Sequence, residues 1–203
     1  MAYRQETQLN DEKQHLTLFD TGPDSLSLVR NVAALRVPVD KIDRIITSHW
    51  HSDHTGGLLS FLRLRGKASQ ESTSTESGSS PCIVDVHPDR PISRGIAPGP
   101  TFDKIICALP PDPSFVQIEE AGGTVEKHAE GHAVADGTVW ISGEIPRVTT
   151  FEIGMLSGVR WIEESLEGSD ARGKWVPEHV STFFFSERGD ADSFGVMLIA
   201  NHG

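Results

Sequence analysis

Residues 49–54 read HWHSDH, with TGG directly after them and DRIITS, residues 43–48, directly before. Three histidines and an aspartate within six positions offer imidazole nitrogens and a carboxylate, the donors that hold zinc and also iron or manganese. His49 and His51 are two residues apart. In an extended segment both rings project to the same side and can share one ion. Asp53 and His54 are adjacent and, in a turn, can serve a second ion. The bland alternative is a solvated histidine-rich loop. Ile45, Ile46 and Thr47 are β-branched, as a buried strand requires, so the cluster sits at a strand's carboxyl end.

Working outward, LTLFD (16–20) is a short apolar run stopped by TGP, which predicts a strand and a turn. A helix follows, capped by Asp24 or Ser25, with Leu26, Val29, Val32 and Ala33 on one face, until Pro38 interrupts it. Beyond the histidines, Thr55 is positioned to cap a second helix holding Leu58, Leu59, Phe61, Leu62 and Leu64. Residues 66–80, GKASQESTSTESGSS, carry almost no core-forming side chain and read as a flexible insertion. CIVDV (82–86) resumes strand character, residues 88–113 read mostly as loop, and TVEKH (124–128) reads as a strand. Residues 133–142 read as a hairpin turning at Asp136-Gly137. Alternating strands and helices indicate an α/β layered fold in one domain, 1–203.

The chain has 203 residues, 37% of them hydrophobic, which is enough for one substantial core. A net charge of −11 argues against a general phosphate-backbone binder. The one basic run is RLRGK (63–67). A small-molecule substrate is expected, with no nucleic-acid or membrane partner. The two cysteines, Cys82 and Cys107, lack C-x-x-C spacing and read as buried free thiols. The opening residues do not resemble a secretory leader, and no apolar run approaches the roughly 18 residues that span a bilayer, so a cytoplasmic protein is expected.

HWHSDHTGG resembles the H-x-H-x-D-H signature of the metallo-β-lactamase fold superfamily, and LFDTG (18–22) resembles the strand and turn that precede it there, at a similar distance. VDVHPDR (84–90) and SGEIPRVTTFE (142–152) are similar to a branch related to the dihydropterin-linked synthase of methanopterin biosynthesis. The resemblance covers residues 16–177 and leaves 178–203 as an atypical tail. It implies an αββα sandwich, incomplete at both ends, with metals between the carboxyl-end loops of its sheets. His49 and His51 carry over as ligands of a first metal, and Asp53 and His54 as ligands of a second. Asp53 also carries over as the catalytic group that orients water and accepts its proton. Asp20 carries over as a buried carboxylate ordering the histidine loop. The implied activity is metal-dependent hydrolysis of a small-molecule ester, lactone, amide or phosphoester. Zinc is the favoured cofactor, in one or two ions, with iron or manganese as alternatives.

The pattern departs from the family in three ways. The SHAG motif that brings a third histidine is missing, and His202 in VMLIANHG is the candidate third ligand. A bridging aspartate and a final histidine are not found. The opening strands are replaced by a polar stretch, Met1 to His15. A degenerate, non-catalytic relative with residual metal binding is therefore the rival to the enzyme, and a nuclease is a third reading that lacks a basic groove. Elsewhere, His128 and His132 read as a surface loop rather than a metal site. His87 reads as a strand-end residue able to reach the cleft or simply to end the strand. Glu144 and Arg147 read as a pocket lining or an internal pair. Trp50 should point away from the ligands, and Trp140, Trp161 and Trp175 read as packing residues.

Overall fold

The computed structural model of the chain describes residues 3–9, 13–71, 81–145, 157–164, 172–177, 187–188 and 196–200. Strands β1 (Tyr3–Leu9) and β2 (Lys13–Phe19) form an antiparallel hairpin in which Thr7 pairs with His15. Residues 3–9 of the polar opening stretch are thus themselves a strand, and β2 begins at Lys13 rather than Leu16. An edge strand takes its place by backbone pairing, so polar composition does not exclude it.

Helix α1 (Ser25–Ala34) starts at Asp24, whose carboxylate accepts from the Ser27 amide at 2.8 Å. This hydrogen bond holds the Asp24 carboxyl below its ordinary pKa. The helix buries Leu28 and Val32, while Leu26 is 82% exposed. The apolar face is therefore rotated from the one read in sequence. Both Leu26 and Leu28 are apolar, and only packing against the sheet chooses between them. Arg36 ends the helix with a left-handed φ of 52°, and the Val37 amide reaches back to the Val32 carbonyl at 3.0 Å.

Next come β3 (Arg44–Ile46), the short helix α2 (Ser52–Thr55) and α3 (Leu58–Glu71). Thr55 does not cap α3. It closes α2, donating its hydroxyl to the His51 carbonyl at 3.2 Å. Gly56 and Gly57 intervene because there is no room for a Cβ: one on Gly56 would lie 2.1 Å from the Pro23 carbonyl oxygen, and one on Gly57 2.4 Å from that of Thr21. The TGG run is thus the point where the histidine loop presses onto the turn after β2. Residues 66–71, expected in a flexible insertion, are helical. Leu58, Phe61, Leu62 and Arg65 seat one face of α3, and the polar residues that follow continue the helix at solvent. Residues 72–80 lie outside the described residues.

The remaining elements are β4 (Cys82–Val86), β5 (Ser93–Ile96), β6 (Cys107–Ala108), α4 (Phe115–Glu120), β7 (Gly123–Lys127), β8 (Glu130–Val134), β9 (Val139–Gly143), β10 (Gly158–Glu164), β11 (Arg172–Pro177), β12 (Glu187–Arg188) and β13 (Val196–Ala200). They build a five-stranded sheet in the order β1-β2-β3-β4-β7 and two four-stranded sheets, β11-β10-β5-β6 and β12-β13-β9-β8. From β2 to β7 the first sheet is parallel. One of its faces meets the helices through Leu16, Leu18, Ile45, Val84 and Val86 against Leu28, Phe61, Leu62 and Ile118. The other meets the third sheet through Phe19 and Ile46 against Val134, Val139 and Ile141. The result is a mixed α/β, metallo-β-lactamase-like layering.

Strand β13 pairs with β9 and β12, in the third sheet rather than beside β3. His202 itself lies outside the described residues. Trp161 faces Trp175 across β10 and β11, while Trp140 is 39% exposed. Cys82 is buried, which pushes its thiol pKa up to about 11, but Cys107 is exposed, contrary to the reading of both as buried.

Candidate metal centre

The parallel strands β2, β3 and β4 run side by side, so the segments leaving their carboxyl ends gather at one rim of the sheet. Asp20 leaves β2 there with a left-handed φ of 55°, a conformation that a short polar side chain tolerates. Its buried carboxylate accepts from the Ser48 amide at 2.8 Å, the Ser48 hydroxyl at 2.8 Å and His54 Nδ1 at 2.7 Å. The residue after it, Thr21, donates both its amide and its hydroxyl to the His54 carbonyl, at 2.8 and 2.9 Å.

These contacts decide where the imidazole protons lie. A carboxylate only accepts, so His54 carries its proton on Nδ1 and its lone pair on Nε2. The single Ser48 hydroxyl proton goes to Asp20, so the 3.0 Å contact between Ser48 Oγ and His49 Nδ1 is donated by the histidine. His49 therefore also turns a lone pair outward on Nε2. Both rings are set as metal ligands must be, through partners on their far nitrogens.

His49, Asp53 and His54 bring ligand atoms within 4.8 Å of one another, and the rings of His49 and His54 stand 4.0 Å apart. Asp53 is 68% exposed, with Oδ2 3.4 Å from His54 Nε2. His51 is buried with its ring edge-on to His49 at 4.6 Å, but it stands outside that trio. The arrangement thus groups one residue of the first ligand pair read in sequence with both residues of the second. A donor set of two imidazoles and a carboxylate fits a zinc-type ion.

Trp50, between His49 and His51, is turned inward and 2% exposed. Its indole donates to the His87 carbonyl at 3.1 Å, and its own carbonyl accepts from Arg94 at 3.1 Å. Arg94 is held in turn by both oxygens of Asp112, at 2.8 and 2.6 Å, and this pair is buried. Ser48, Arg94 and Asp112 were missed in the sequence. Ser48 adjoins the histidines but carries no signal of its own, and the other two fall in the Pro-rich stretch that reads as loop.

His87 is 5% exposed, its Nδ1 accepts from the Asp89 amide at 3.1 Å, and its Nε2 meets no hydrogen-bond partner among the described residues. Burial pushes its pKa down, against the pull of Glu144 and Asp89. His128 and His132 do not form a surface loop: the rings stack at 3.8 Å, and His132 Nε2 lies 2.9 Å from the buried carboxylate of Asp85. Glu144 is exposed, its amide bonded to the Ala129 carbonyl at 2.9 Å, and Arg147 lies outside the described residues. No helix among the described residues is long and apolar enough to cross a membrane.

The family model of the metallo-beta-lactamase superfamily matches residues 10–148, more than half of the chain, so the chain belongs to that superfamily. Among curated proteins no match is found.

Proposed function

We propose that this member of the metallo-beta-lactamase superfamily is a metal-dependent hydrolase of a small-molecule ester, lactone, amide or phosphoester. The observation that carries this reading is the Asp20–Ser48 arrangement, which turns the Nε2 lone pairs of both His49 and His54 outward. His49, Asp53 and His54 hold the ion, with His51 beside them as a further ligand and zinc favoured over iron or manganese. The chemistry such an ion supplies is Lewis acidity and the acidification of water toward neutral pH. Asp53, exposed at the rim, orients the attacking water and accepts its proton. Asp20 keeps the two rings from turning. The similarity of residues 84–90 and 142–152 to the dihydropterin-linked synthase branch supports a place in that branch.

A second reading, metal binding without catalysis, is supported by one feature: every member of the trio comes from a single turn, and among the described residues no other strand contributes a ligand to it. Reconstitution with zinc, iron or manganese, followed by assay against a panel of esters, lactones, amides and phosphodiesters, separates the two. Hydrolysis that needs metal, disappears in His54→Ala and drops in Asp53→Asn supports the enzyme. A chain that binds metal yet turns over nothing in the panel supports the second reading.

A further inference from the structure

We propose that Asp85, His128 and His132 form a second, separate cation site, which takes a zinc-type divalent metal and ties the five-stranded sheet to the β8–β9 hairpin. Asp85 projects from β4 between the sheets and is fully buried. His128 follows β7, the neighbour of β4 in the same sheet, and His132 comes from β8 in the third sheet. Their ligand atoms all lie within 4.8 Å of one another.

Two of the three residues present an unanswered atom. Asp85 Oδ2 accepts from Arg44 at 2.6 Å and faces His132 Nε2 at 2.9 Å, but Oδ1 is buried with no hydrogen-bond partner among the described residues. His128 Nε2 is likewise buried without one, since the Glu126 carboxylate at 3.7 Å is beyond hydrogen-bond reach. A buried acceptor left without a donor is costly, and a cation between the two atoms would answer both.

The charges point the same way. Arg44 contacts both Asp85 and Glu126, at 2.6 and 2.9 Å, so one guanidinium serves two carboxylates. His132 Nδ1 lies 3.2 Å from the Glu130 carbonyl oxygen and Nε2 2.9 Å from Asp85 Oδ2, and both oxygens can only accept, so the one proton of a neutral ring leaves one of the two contacts unanswered. The positive charge that the pair of contacts calls for is a second ring proton or a metal ion on Nε2. Only the ion also meets Asp85 Oδ1 and His128 Nε2. Two imidazoles and one carboxylate suit zinc, cobalt or nickel rather than calcium or magnesium, which prefer oxygen alone. The side chains of His128 and His132 are 36% and 19% exposed, which gives an ion a way in from solvent.

The test uses zinc alone and reads binding and stability rather than turnover. His49→Ala/His54→Ala removes the trio on the loop. That double variant is expected to retain one equivalent of zinc after dialysis and to melt at a higher temperature with zinc than with chelator. Adding His128→Gln, at a partly exposed position that preserves the fold, should abolish both effects. Adding His132→Gln instead should weaken zinc by tenfold or more. Circular dichroism confirms that each variant is folded. The proposal is overturned if the double variant binds no zinc, or if it binds zinc equally well after His128→Gln and His132→Gln.

Discussion

His49, Asp53 and His54 meet inside one six-residue turn, whereas Asp85, His128 and His132 arrive from β4, from the end of β7 and from β8. The first group is oriented from behind by a carboxylate outside the trio, Asp20. In the second the carboxylate is itself a member of the trio and is shared with Arg44. A site made by one turn survives small shifts of the sheets because its ligands move together. A site made across sheets exists only when the layers are in register, and in return it links them.

The contrast is sharpest in stability. Asp85→Ala should cost about 3–5 kcal/mol, since it leaves Arg44 and His132 facing each other without their shared buried carboxylate. Asp53→Ala, at an exposed side chain, should stay within about 0.5 kcal/mol. Urea unfolding measures both, and a loss below about 1 kcal/mol for Asp85→Ala would show that the cross-sheet group does not bind the layers.

The loop has its own point of rigidity. Gly57→Ala should destabilise by about 1–3 kcal/mol, because the added methyl meets the Thr21 carbonyl and the Leu28 side chain. Gly66→Ala is the control. Its Cβ enters open space on helix α3, so it should stabilise by about 0.5–1 kcal/mol. Equal melting temperatures for the two variants would contradict the close approach.

Asp20→Asn should weaken zinc at the loop trio by about 10–100-fold, because an amide can no longer accept from all three donors. It should leave the Asp85 group unchanged. Calorimetric titration resolves the two sites, and a matching loss at both would mean that they are coupled.

The smallest effect concerns His87. Burial lowers its folded-state pKa, so below about 6.5 the unfolded chain takes up a proton that the folded chain refuses. Stability should fall as pH drops through that window, by at most about 1.4 kcal/mol per pH unit. His87→Asn should flatten the slope of melting temperature against pH. A slope identical to that of the unmodified chain would assign the dependence to other groups.

What could be read in advance follows the same division. The strand before the histidines, their convergence in a turn and the apolar face of the helix from Leu58 lie together in sequence and obey local periodicities, so they were legible. The short helix α2 and the place of Thr55 within it were not. Asp20 was legible only through its resemblance to a known pattern. Arg94 and Asp112 were not legible, because a buried ion pair in an irregular segment has no period to reveal it. His128 and His132 are spaced as one helix face would space them, yet a strand end and the following hairpin bring their rings together. Asp85 could not be recognised as their companion before the order of the strands was known. The extension of α3 past Gly66 was hidden by composition, since a solvent-facing helical turn can be as polar as a loop.

The fit of Gly56 and Gly57 against Pro23 and Thr21 makes the histidine turn non-portable. A protein engineer who transplanted residues 49–54 into another scaffold would carry the ligands but leave behind the surface that shapes them. The smallest graft that keeps the geometry runs from β2 through the second of those glycines. It has to bring the Asp20 turn, the whole of α1 and the β3 strand as a single cassette.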